Sequence, residues 1–196
     1  VSRPVKPADV GMTGEGINLK LLIPFHEPSF ENWKAFCRKL LGHVNPYTKI
    51  AWKDDPALAW LVPVNEDNYL NSLGEIRGRY KDLWTPAWNK WRRAKKGASA
   101  DTEIPPATGP SGEGLDLTLF MADTHLSIFK RMRSFLRDEL KCQSLLSGLN
   151  GWTDTLAQQV TRSEYDYVDN HFYWDHPGFL EKDWQLPSKG WSGNGP

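Results

Sequence analysis

The chain has 196 residues, 24 basic and 24 acidic side chains and a formal net charge of zero, so its charge gives no case for a nucleic-acid partner. Its length allows one domain, residues 1–196, with a substantial core. No apolar run approaches the roughly eighteen residues of a membrane span, and the N-terminus carries no charged-then-apolar leader.

Ten tryptophans exceed ordinary usage, many in polar surroundings. Flat exposed aromatics suit sugars or peptides, although tryptophan serves equally well as core filler. Cys37 and Cys142 are too few for a metal cage or a disulfide framework. Two reduced, buried thiols are expected, with a single bridge left open.

In chain order, Val1–Gly16 reads as a loop and Ile17–Phe25 as a short extended stretch limited by Pro24. Ser29 is a suitable N-cap for a helix over Phe30–Leu41, with Trp33, Phe36, Cys37, Leu40 and Leu41 at helical spacing and Gly42 as the stop. A turn-rich connection, His43–Asp54, leads to Ala57–Val64. That unbroken apolar run of strand length predicts a strand buried on both faces of a parallel sheet. Pro63 removes a ladder donor within it, so a kink or an unpaired amide is expected there.

Asp67–Arg93 predicts one or two amphipathic helices punctuated by Pro86. Lys95–Gly114 reads as a flexible surface insertion. Leu115–Leu140 carries the longest helical pattern, its stripe formed by Phe120, Leu126, Phe129, Met132, Phe135, Leu136 and Leu140. Lys130, Arg131, Arg133 and Arg137 are expected on its solvated face. A second strand within Lys141–Asn150 ends at Asn150, and Thr153–Arg162 reads as helix. Tyr165–Tyr173 alternates aromatic and polar residues as a third strand would, and Phe179–Pro196 reads as a terminal loop. Helices alternating with strands predict an α/β fold with an open parallel sheet of about three or four strands.

If these strands are parallel, Asn65-Glu66, Asn150 and His171–Trp174 share one rim, where barrel enzymes keep their chemistry. Taken alone, Glu66 is more often a loop or helix-capping carboxylate than a catalytic one. His171 and His176 diverge on an extended chain, so no metal site is expected. No Gly-rich phosphate loop, nucleophile elbow or Cys-x-x-Cys pair is present, and no cofactor is expected.

Val1–Asp9, His43–Asp67, Phe135–Asn150 and Tyr165–Pro177 together resemble the cellulase-like (β/α)8 retaining glycoside hydrolases. The most specific features are Asn-Pro-Tyr-Thr, then Asp-Asp-Pro-Ala, then a strand ending Asn-Glu, all before His-x-Tyr-Trp-Asp-His-Pro. The resemblance implies a partial TIM barrel running from the end of the third strand to just past the sixth. It implies a poly- or oligosaccharide substrate and a secreted or periplasmic setting. Glu66 would be the acid/base, Asn65 would touch the sugar 2-hydroxyl, and Asn150 would match a fifth-strand rim residue loosely. His171 would line the subsite, Tyr173 would orient the nucleophile, and Trp174 would be a sugar platform.

Two departures matter. Pro63 replaces an ordinary strand former, and the seventh-strand nucleophilic Glu has no counterpart, because Glu181 comes too early. The chain as it stands is therefore expected not to complete a double displacement. The alternative is a non-catalytic carbohydrate-binding or assembly protein using a Trp-lined cleft.

Overall fold

Helical periodicity decides most of the architecture. The computed structural model describes residues 17–151 and 155–171. Its elements run α1 (Leu19–Leu22), α2 (Glu27–Leu41), β1 (Trp60–Leu61), α3 (Arg79–Lys96), α4 (Gly112–Ser134), β2 (Leu145–Leu146) and α5 (Leu156–Thr161). The fold is α/β, with the helices set around a two-stranded parallel sheet in which Trp60 pairs with Leu145 and Leu61 with Leu146. No helix among the described residues is long and apolar enough to cross a membrane.

The first element corrects the sequence reading. Ile17–Phe25 is not extended, because the Asn18 side chain accepts the Lys20 N–H at 3.1 Å and caps a short helix that buries Leu21 and Leu22 completely. Helix α2 likewise begins before Ser29. His26 is its N-cap and Pro28 lies in its first turn, where a missing N–H costs nothing, while Ser29 Oγ bonds His26 Nδ1 at 2.8 Å. Its buried face is Phe30, Trp33, Cys37 and Leu41. Phe36 and Leu40 were expected on that face but sit about 100° around the helix from Cys37 and Leu41, and remain exposed.

Helix α3 buries Tyr80, Trp84 and Trp88 at four-residue intervals. Trp84 is fully enclosed; its indole N–H donates to Leu21 O at 2.8 Å, and Phe25 and Tyr69 meet its ring edge-on at 4.9 and 5.1 Å. Pro86, expected to punctuate the helix, lies inside it on the exposed side. The carbonyl it orphans belongs to Asp82, itself an exposed residue. The insertion after α3 is also more tied down than its composition suggests. Thr102 exchanges two hydrogen bonds with the Asn89 side chain, and its hydroxyl accepts from Trp88 Nε1 and Arg92.

Helix α4 follows the expected stripe, continued by a π turn at Phe135–Glu139, although Leu126 and Leu140 are only partly buried. Its basic residues divide. Lys130 and Arg131 are exposed, whereas Arg133 and Arg137 both reach Asp166 at 2.9 Å and so serve the fold rather than solvent.

The sheet is the largest correction. The regular strand is two residues long instead of eight, and the chain bends at Pro63–Val64, as Pro63 foretold. The Pro63 carbonyl is taken by Trp33 Nε1 at 3.1 Å. Among the described residues only one sheet face is covered: Leu146 is fully buried, while Trp60 and Leu145 are 65% and 46% exposed. Over residues 165–171 the expected third strand does not form. Asp166 uses its carboxylate where a strand would use its carbonyl, accepting the Leu146 N–H at 2.9 Å and returning its own N–H to Leu146 O at 2.9 Å.

Cys37 and Cys142 are both buried free thiols, as expected, and burial pushes Cys37 up to about 12. The aromatic knot is the test of where stability resides. Trp84→Ala is expected to cost about 3–5 kcal/mol in urea unfolding, as removal of a buried aromatic does. Trp60→Ala, on the open face, should cost less than about 1 kcal/mol.

Candidate active site

Because β1 and β2 run in the same direction, the segments leaving them emerge at one rim. Each departs through a non-glycine residue in the left-handed region, Glu66 at φ 51° and Leu149 at φ 50°. That conformation costs about 1–2 kcal/mol per residue, so something must hold it.

In both cases side chains hold the N–H and the C=O. The Glu66 N–H donates to Asn150 Oδ1 at 2.7 Å, and Lys20 Nζ donates to Glu66 O at 2.8 Å. The Leu149 N–H donates to Asp67 Oδ1 at 2.8 Å, and the Arg162 guanidinium donates to Leu149 O. The neighbour of each strained residue thus binds the other strained residue. Two reciprocal bonds lock the strand ends together.

The brace aims the Glu66 side chain at His171, whose Nδ1 lies 2.7 Å from Glu66 Oε1; both side chains are about a quarter exposed. Asn150 Oδ1 already accepts the Glu66 N–H, so its Nδ2 is the donor facing His171 Nε2 at 3.0 Å, Asn65 Oδ1 at 3.1 Å and Asp169 Oδ2 at 3.2 Å. A donor opposite Nε2 requires a lone pair there. The tautomer that fits this geometry carries its hydrogen on Nδ1, facing Glu66 Oε1. Gly151 follows directly, and a Cβ there would lie 3.3 Å from Glu66 Cβ and Cγ, so the glycine leaves room for the carboxylate's stem.

Beneath the rim, His125 of α4 is buried, stacks on Tyr69 at 3.9 Å, and donates from Nε2 to Asp67 O. Burial lowers its pKa from the ordinary 6.5, outweighing the Asp67 carboxylate and the carbonyls of Asp67 and Met121. Arg162 is buried behind the same turn and also donates to Asn170 Oδ1 at 2.7 Å; burial lowers its pKa, against the pull of Tyr165 and Asp169. Burial would raise Asp166, but the Leu146 N–H and the Arg133 and Arg137 guanidiniums outweigh it and hold the carboxyl below its usual range. That carboxylate anchors the segment leading to His171.

Of the residues singled out by sequence, Glu66, Asn65, Asn150 and His171 come together. Tyr173, Trp174 and His176 lie outside the described residues. Asp67, Asp169, Lys20, His125 and Arg162 were not foreseen. Asp169 had a signal, since it stands two residues before His171, a spacing that puts both on one side of an extended chain. No protein-family model, curated protein or solved structure matches this chain.

The buried histidine sets a pH dependence. The folded state binds a proton at His125 less readily than the unfolded chain does, so acid favours unfolding. The contribution is complete above the unfolded value near 6.5 and is lost as pH falls through the lower folded value. Thermal unfolding between pH 8 and roughly pH 5 should show stability declining below about 6.5. His125→Phe should flatten that decline.

Proposed function

We propose that this chain is part of the catalytic domain of a retaining β-glycoside hydrolase of the cellulase-like (β/α)8 kind, with Glu66 as the acid/base. The observation that carries this reading is the convergence at one rim: Glu66 leaves one parallel strand, Asn150 leaves its neighbour, and both touch His171. Glu66 Oε2 takes no hydrogen bond from the described residues, which leaves one carboxyl oxygen for a substrate.

The chemistry follows from that arrangement. A protonated Glu66 delivers its proton to the departing glycosidic oxygen while a second carboxylate, about 5 Å away, attacks the anomeric carbon. His171 Nδ1–H then stabilises the carboxylate left behind, and Glu66 takes a proton from the water that releases the sugar. Exposed Asn65 meets the sugar 2-hydroxyl and His171 lines the subsite, while buried Asn150 holds Glu66, Asn65 and His171 in place. The open sheet face is compatible with a barrel wall, because Trp60 and Leu145 stand side by side on adjacent parallel strands, as inward side chains do. The nucleophile is assigned to a further strand, and the 196-residue chain alone is expected to give no turnover.

The test uses the protein expressed with its flanking coding sequence and a series of aryl β-glycosides. Glu66→Gln should lower kcat/KM on poor leaving groups by about 10²–10⁴-fold and largely spare dinitrophenyl substrates, which need no proton. Saturable oligosaccharide binding without turnover, before and after the substitution, would favour a carbohydrate-binding protein instead. Neither binding nor turnover would contradict both readings.

A further inference from the structure

We infer that Asp67 and His125 are positioning residues that set the geometry of Glu66 through the neighbouring strand end. This rests on Glu66 as the reacting carboxyl. Asp67 follows Glu66 directly, yet its carboxylate is committed elsewhere: Oδ1 accepts the Leu149 N–H at 2.8 Å. Its carbonyl is committed too, to Nε2 of the buried His125 ring. Asp67 therefore links three parts of the molecule: the Glu66 turn, the Leu149 turn and helix α4.

The consequence runs through Asn150. Leu149 holds a left-handed conformation, and the next residue supplies the oxygen that binds the Glu66 N–H and the nitrogen that faces His171 Nε2. Release of the Leu149 N–H leaves only the Arg162 bond to its carbonyl to hold Leu149 in that conformation, so Asn150 loosens its register with both partners. His125 acts one step further back. Packed on Tyr69 and fully enclosed, it fixes the Asp67 carbonyl to the most extensive helix, so that Asp67 turns neither toward solvent nor toward the rim.

In this arrangement it is the acceptor oxygen of Asp67, rather than its charge, that holds the Leu149 N–H. An asparagine presents the same oxygen to the Leu149 N–H. Likewise, phenylalanine at position 125 keeps the flat ring against Tyr69 but cannot donate to the Asp67 carbonyl.

The experiment reads the Glu66–His171 contact without any sugar, so its failure is distinguishable from failure of the glycosidase reading. The His171 Nδ1–H signal is identified in the NMR spectrum of the whole chain by its loss in His171→Gln, and its exchange with solvent is measured. Asp67→Ala and His125→Phe should each speed that exchange up to about tenfold, the worth of one hydrogen bond. Asp67→Asn should stay near wild type. Leu41→Ala, which weakens the core of α2 away from the rim, should leave the exchange ratio unchanged at matched stability. Unchanged exchange in Asp67→Ala, or an Asp67→Asn as fast as Asp67→Ala, would overturn the inference.

Discussion

The rim depends on one exchange of hydrogen bonds: Asn150 holds the Glu66 N–H, and Asp67 holds the Leu149 N–H. Two regular residues per strand provide little pairing of their own. Beyond the bond from the Ser147 N–H to Leu61 O the ladder gives way to side chains, which do for the strand ends what backbone amides do in a longer sheet. The arrangement also accounts for two non-glycine residues at positive φ, because each has its N–H and C=O satisfied at once and the local strain is offset by contacts made nowhere else.

Everything below the rim maintains that exchange. The knot of Trp84, Phe25, Tyr69 and Phe120 fixes α3 against α4, and Tyr69 carries the contact onward to His125 and Asp67. On the other side, Arg133 and Arg137 of the α4 region grip Asp166, which grips Leu146 and delivers the segment ending at His171. Two separate routes thus connect the same helical stretch to the two partners of the Glu66–His171 contact. The buried cation Arg162 closes the back, between Leu149 and Asn170. The Glu66–His171 contact inherits its geometry from side chains scattered along most of the described chain.

How much of this could be read beforehand divides along the range of the interactions. Helices α2 and α4 were legible because periodic apolar spacing is local. The meeting of Glu66 and Asn150 was legible because the ends of parallel strands share a rim, whereas His171 joins them although its expected strand does not form. Errors appeared where a local signal had a competitor: Ser29 suggested a cap, but His26 with Pro28 behind it started the helix sooner. Apolar Ala57–Val64 suggested a long strand, but only Trp60 and Leu61 pair as regular strand. The Gly- and Pro-rich insertion gave no hint that Thr102 would tie it to Trp88, Asn89 and Arg92 of α3. Asp67, His125 and Arg162 had no sequence signal, because each acquires its role from a residue brought near only by folding.

The central claim is that the two strand ends hold each other, and a double-mutant cycle between Asn150 and Asp67 measures it directly. Asn150→Ala, Asp67→Ala and the double variant would be unfolded in urea alongside wild type. If the bonds form one brace, breaking either loosens the other, and the double variant should lose less stability than the sum of the singles by at least about 0.5 kcal/mol. Losses that add to within about 0.3 kcal/mol would mean two independent contacts, and would contradict the account.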